Sequence, residues 1–342
     1  MERRKVQQVG GGTYTVSLPK AWAERIGITA GKTVHIDIRG DDRLVIEPEP
    51  PENDVMTRLQ LHVDDEPPHR LARIVRAAYT AGCEELVLTV SEGFSRAQRR
   101  AVDEATNSFI GGTLIEGTET ELTLKVLLDA SEVSVQQSVR QLRFTALSMH
   151  RDAVSVLVGE GRFWVDDRDD EADRLFEMID RYCGRGLARL DAADALGLSR
   201  SQLFELRTAA RELERVADRA ETIGAVAEGI DRLPDSISAG QLEAISRNAR
   251  TIVDQGTTVV VDDAGAGAAQ DALDRRNDTR SMIDALDGEL SGSTYNYQLG
   301  RALDALRRTV ESGGTIAELG LRAVTRRKGN APAESPITSG VE

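Results

Sequence analysis

The chain has 342 residues, 40% apolar but only 4% aromatic, so it can hold two or three domains whose cores are built from Leu, Val, Ile and Ala. No apolar run approaches the roughly 18 residues of a membrane span, the start MERRKVQQV has no apolar leader segment, and Cys83 and Cys183 are the sole cysteines; membrane insertion, a signal peptide and a disulfide framework are excluded, and a reducing cytoplasm is the expected location. The formal charge is −14, and five of the 43 basic residues are lysine, an acidic, arginine-biased balance that suits a protein of a salt-loaded cytoplasm.

Residues 1–48 read as one unit. Residues 4–9 and 13–18 are strand-like around Gly10-Gly11-Gly12. Pro19 fits the start of a short helix over 20–26, which Gly27 stops. Residues 33–38 and 43–47 alternate polar and apolar around Gly40-Asp41-Asp42, a hairpin pattern. The run Pro48-Glu49-Pro50-Pro51-Glu52-Asn53 can continue neither a strand nor a helix and reads as a stiff linker.

Residues 54–129 form a second expected domain, small and α/β. Residues 59–63 read as a strand, and Leu71, Ile74, Val75, Ala78 and Tyr79 then follow the spacing of an amphipathic helix. Residues 85–90 are a strand, and Ser95 with Gln98 makes a capping box for the next helix. Strands over 113–116 and 121–128 complete the order β-α-β-α-β-β.

Helices fill residues 130–328. Val135, Leu142, Met149 and Val156 recur at sevens in the first. The second carries Leu175, Ile179, Tyr182 and Gly186; the third starts at the box Ser199/Gln202 and carries Leu206, Leu213, Ala220 and Ala227. A fourth starts at Ser238/Gln241, a fifth is centred on 273–290, and a sixth runs through Leu299, Leu306, Gly313 and Gly320. Sustained seven-residue spacing in long antiparallel helices predicts a bundle. LERVADRAETI (213–223) and LRRTVESGGTI (306–316) share one frame, which divides six helices into two three-helix repeats. Residues 329–342, small and polar, read as a disordered tail.

Two motifs carry chemistry. Residues 1–36 hold six basic and two acidic side chains; localised positive charge beside paired strands is the footprint of a phosphate-contacting surface, or else a solvated charge run. RKVQQVGGGTYTVSLPKAWAERIGI, followed by AGKTVHIDI and RLVIEP, resembles the SpoVT/AbrB family. The resemblance implies a swapped-hairpin β-barrel formed by two chains, a homodimer or higher oligomer, and DNA binding through Arg3, Arg4, Lys5, Lys20 and Arg25. The chain departs from many members in having Ala23-Glu24 where they place two arginines in the short helix.

The second motif is Glu214-Arg215-Val216-Ala217-Asp218, whose carboxylates lie one helical turn apart on one face and can share a metal, or simply meet solvent. FELRTAARELERVADRAETI (204–223) and DRLFEMIDRYC (173–183) resemble the PhoU family. That resemblance implies metal ligands at Glu214 and Asp218, with Asp173 on the neighbouring helix, and a divalent Mg, Mn or Fe ion. In the second repeat Arg307 stands where Glu214 stands and Glu311 where Asp218 stands, so any site is expected to be single, or to have become a salt bridge between Arg307 and a carboxylate. LARIVRAAYTAGCEELVL and FIGGTLIEGTETELTLKVLLD resemble the connecting domain of archaeal proteins that join an AbrB-like head to a PhoU-like bundle, and the composition resembles that of a halophilic archaeon.

No HExxH, GxSxG or GxxxxGK[ST] motif occurs, and Gly10-Gly11-Gly12 leads into a strand, unlike a phosphate loop, which leads into a helix. No catalytic residue is therefore expected, and the chain reads as a non-enzyme. The fold class expected is multidomain α+β: a swapped-hairpin barrel, a small α/β domain and a six-helix bundle. The function expected is regulation of phosphate uptake or phosphate-responsive transcription, with DNA as one partner and a phosphate ABC transporter ATPase or sensor protein as another. The alternative is a non-DNA-binding interaction protein that dimerises through the barrel and acts on such a partner through the bundle.

Overall fold

The computed structural model describes residues 3–10, 12–38, 44–47, 58–115, 117–160, 166–230, 232–234, 237–262, 264–290 and 296–330. The chain divides into two units, Met1–Val55 and Met56–Glu342. The linker at 48–53, the turn at 40–42 and residues 331–342 lie outside the described residues.

In the first unit β1 (Gln7–Val9) and β2 (Thr13–Thr15) pair antiparallel, Gln8 opposite Tyr14. Gly10, at φ 66, adopts the left-handed conformation that a side chain disfavours, which lets the chain reverse. α1 (Lys20–Arg25) begins after Pro19, and β3 (His35–Ile38) pairs antiparallel with β4 (Leu44–Glu47). The first two strands are shorter than the expected 4–9 and 13–18, because a two-stranded ribbon gains too little to hold its ends. Among the described residues of this unit no side chain is buried. Val9, Tyr14 and Ile36 are 57%, 72% and 58% exposed.

The second unit starts with an α/β layer: β5 (Arg58–His62), α2 (Pro68–Thr80), β6 (Glu85–Thr89), α3 (Arg96–Asn107), β7 (Gly112–Ile115) and β8 (Glu121–Val126). The sheet order is β5-β6-β8-β7, parallel between β5 and β6 and antiparallel elsewhere. Leu71, Val75 and Tyr79 of α2 and Val102 of α3 share one core with Leu86, Leu88, Leu122 and Leu124, so both helices cover one face of the sheet. The Ser95/Gln98 capping box forms as expected.

Six long helices follow: α4 (Val135–Leu157), α5 (Asp166–Ala188), α7 (Arg200–Glu228), α8 (Ala239–Val261), α9 (Ala266–Glu289) and α10 (Asn296–Asn330), with a short α6 (Leu190–Ala195) between α5 and α7. α6 is absent from the sequence reading, since six residues are too few to display a period. α10 reaches Asn330, two residues past the helical limit of 328 expected from sequence. α4, α5 and α7 pack on one another, as do α8, α9 and α10, and the sets meet through α4 against α8 and α7 against α10. This is the expected pair of three-helix repeats around one core. α8 and α10 approach closely at Gly256 and Gly313: a Cβ on Gly313 would lie 2.9 Å from the Val253 backbone nitrogen, so alanine there would force the helices apart.

α5 also docks on the α/β layer. Arg181, fully buried, donates from Nη1 to the carbonyls of Tyr79 (2.6 Å) and Cys83 (2.8 Å) at the end of α2. Arg76 pairs with Glu177 at 3.0 Å, and Arg185 with Glu84 at 2.7 Å. Cys83 and Cys183 are buried free thiols, and burial pushes Cys183 up to about 12, which keeps it a packing residue.

Candidate functional site

Three expected ligand residues converge. Carboxylate oxygens of Asp173 on α5 and of Glu214 and Asp218 on α7 all lie within 4.8 Å of one another. The helical period explains this. Glu214 and Asp218 are one turn apart on α7, and Leu213, Val216, Ala217 and Ala220 are buried in the core, which turns the acid pair toward the seam with α5.

The seam is richer than the sequence reading suggested. Asp169, Asp173 and Glu177 sit at four-residue steps on α5, and Glu221 continues the acid face of α7. Asp169 Oδ1 is buried with no hydrogen-bond partner. Burial, then the charges of Glu221, Asp173 and Asp218, push Asp169 up to about 6. Burial and the neighbouring Asp218 push Glu214 up to about 7 against the opposing pull of Arg211; burial pushes Glu177 up to about 7 against Arg76. Burial raises Asp173 and Asp218 as well. Crowded, half-buried carboxylates that Arg76 and Arg211 offset only in part are unfavourable, and a bound divalent cation would relieve them. The donor set is all carboxylate, which fits Mg²⁺, Mn²⁺ or Fe²⁺ completed by water. Asp169, Glu177 and Glu221 escaped notice because the chain holds 57 acidic residues, so four-residue acid spacing alone singles out nothing; contact between α5 and α7 does.

The second repeat differs. Arg307 Nη2 lies 3.1 Å from Asp284 and 3.4 Å from Asp287 on α9, and Arg280 of α9 pairs with Glu311 at 3.2 Å. Cross-helix ion pairs occupy the place of the carboxylate cluster, and among the described residues no second acidic group of ligand geometry occurs.

In the first unit Arg3, Arg4 and Lys5 are exposed immediately before β1, and Lys20 and Arg25 are exposed on α1. Lys20 Nζ lies 3.6 Å from Glu24, so one of the two α1 cations is partly compensated.

At the ends of β5 and β6, Ser91 donates from its backbone (2.7 Å) and hydroxyl (2.6 Å) to Asp64, and His62 Nε2 lies 2.7 Å from the same carboxylate. These bonds, the hydroxyl's first, pull Asp64 down to about 2. The Ser91 hydroxyl also lies 3.3 Å from His62 Nε2, but its shorter bond is to the carboxylate, and the trio clasps the two loops.

Two family models match. Residues 7–54 match the antidote-toxin recognition MazE, bacterial antitoxin family, and residues 139–227, spanning most of α4 through α7, match the PhoU domain. Among solved structures, the phosphate transport system regulatory protein PhoU from Streptococcus pneumoniae is similar, at 16% identity and a TM-score of 0.40, over 56% of this chain and 94% of that one. No curated protein matches. No helix is long and apolar enough to cross a membrane among the described residues. The chain joins an N-terminal antitoxin-type, AbrB-like domain to a PhoU-like helical region.

Proposed function

We propose that this protein regulates phosphate uptake or phosphate-responsive transcription, binding DNA through the first unit and sensing or relaying phosphate status through a metal-bearing helical region. The observation that carries the reading is the union, in one chain, of a MazE-type segment at 7–54 and a PhoU domain at 139–227. The Asp173/Glu214/Asp218 cluster lies inside the second of these. Its protein partner is a phosphate transporter ATPase or a sensor.

The first unit is proposed to work as a dimer. Val9, Val16 and Ile36 are exposed and Leu18, Ile26, Val34 and Val45 half-buried, which leaves too little core for so small a unit to be stable alone. Pairing with a second copy would cover them. Light scattering on the full chain is expected to give at least twice the chain mass; a monomer would overturn the dimer.

The test of DNA binding is Arg3→Ala/Arg4→Ala/Lys5→Ala. Each phosphate contact contributes about 0.9 to the slope of log K against log salt. A dimer losing these side chains from both copies is expected to bind duplex DNA more weakly and with a much shallower slope. An unchanged slope would shift the surface to Lys20 and Arg25. Salt also limits the affinity, since about four contacts lose about 3–4 decades over a tenfold rise in salt. The Lys20–Glu24 pair favours the second reading, an interaction protein that uses the first unit only to dimerise; wild-type protein with no salt-sensitive DNA affinity would establish that reading instead.

A further inference from the structure

A cleft of about 160 Å³ opens between α4 and α8, lined by Arg151 and Ser155 on one side and Glu243, Ser246, Arg247 and Arg250 on the other. We infer that this cleft binds a small tetrahedral oxyanion, inorganic phosphate or its close analogues, separately from the carboxylate cluster. It is an arginine-rich site in a chain of charge −14. Among the described residues, neither Arg247 nor Arg250 has a carboxylate within ion-pair distance. Arg151 is held by the adjacent Asp152 at 3.2 Å, and Asp152 is shared with Arg168 at 2.7 Å. Glu243 is the single carboxylate among the lining residues, against three guanidinium groups. The lining groups sum to +2, three guanidinium groups against Glu243, and Asp152, paired with Arg151, lowers the local balance to +1, which still favours an anion.

The cleft is also built. Ser246 is 1% exposed, and its hydroxyl accepts from Arg250 Nη1 at 2.5 Å, which aims the guanidinium along the wall. Behind it His150 is fully buried, its Nδ1 3.5 Å from Ser246 Oγ and its Nε2 without a partner. Burial, then the charges of Arg250 and Arg219, hold His150 neutral, down to about 3. Arg250 is itself pulled down by burial and by the like charges of Arg151 and Arg247, against the opposing pull of Asp152. Three guanidinium groups that repel one another are what a bound oxyanion would reconcile, each offering charge-assisted hydrogen bonds. At about 160 Å³ the space is well below the roughly 300 Å³ of pockets for drug-sized ligands, which suits a small ion.

The inference stands apart from the DNA and metal readings, and its test uses neither. Equilibrium dialysis of labelled inorganic phosphate against the full chain, at fixed chloride, is expected to show saturable binding. Arg247→Gln/Arg250→Gln should weaken it about a hundredfold, each lost charge-assisted bond being worth roughly tenfold. Ser155→Ala, which removes one lining hydroxyl, serves as the milder variant, with a smaller but measurable loss. No saturable binding, equal binding by the folded arginine double variant, or displacement by equimolar chloride would each overturn the site. Competition by adenosine monophosphate as strong as by phosphate would overturn the assignment to the free ion.

Discussion

Replacing Arg181 by alanine lowers the unfolding free energy by about 2–5 kcal/mol, the range for truncating a large buried side chain. Arg181 is 0% exposed, its guanidinium carbon 4.9 Å from the Tyr79 ring centre and 5.8 Å from that of Tyr182. Alanine would strand the Tyr79 and Cys83 carbonyls and leave a cavity between α2 and α5. Methionine is expected to cost much less. It refills the space, and it removes Nε and Nη2, which are buried without partners in the native protein. Urea unfolding followed by circular dichroism checks both variants: a lower midpoint at constant m would mean lost stability, and a second transition would mean that the α/β layer has come loose from the bundle. An alanine variant within about 1 kcal/mol of wild type would show that the contact contributes little. The position has a functional side, because α5 carries Arg181 toward α2 and also Asp173 and Glu177 in the acidic seam, while Arg76 reaches from α2 to Glu177. One helix therefore touches both the acidic seam and the α/β layer.

That arrangement illustrates what a sequence can and cannot display. Local devices are legible: the boxes at Ser95/Gln98 and Ser199/Gln202 form where their spacing places them, and Leu142, Met149, Leu206, Leu213, Leu299 and Leu306 are buried as their sevenfold recurrence requires. The replacement of the second carboxylate pair by ion pairs of Arg307 was legible too, because the two repeats share a frame. Contacts between distant segments were not. Arg181 meets carbonyls about a hundred residues away, and nothing in DRYC distinguishes it from a solvated arginine. Asp169, Glu177 and Glu221 became distinctive only when α5 was laid against α7. The short strands β1 and β2 show the converse limit: the alternating pattern continues past their ends, but the pairing that would extend it is not supplied within this unit.

Glu214→Gln/Asp218→Asn is expected to abolish metal retention. Protein purified without chelator should carry a divalent ion in the wild type and none in the double variant, by elemental analysis. The amides keep the shape of the side chains but remove the charge that holds a hard cation. Of the three clustered carboxylates Asp173 alone would then remain, and one carboxylate rarely retains such an ion. Thermal unfolding supplies an independent readout. A ligand bound to the native state alone stabilises it by mass action, so chelator should lower the wild-type midpoint and leave the double variant unmoved. The metal-free variant should also unfold above metal-free wild type, because two amides relieve the repulsion among Asp169, Asp173, Glu214 and Asp218. Arg307 provides the internal control. A guanidinium cannot ligate a metal, so Arg307→Ala, which frees Asp284 and Asp287, should leave the metal content unchanged. Equal metal in wild type and double variant, or none in either with no response to chelator, would remove the ion from this seam and leave the crowded carboxylates as a surface for a cationic partner.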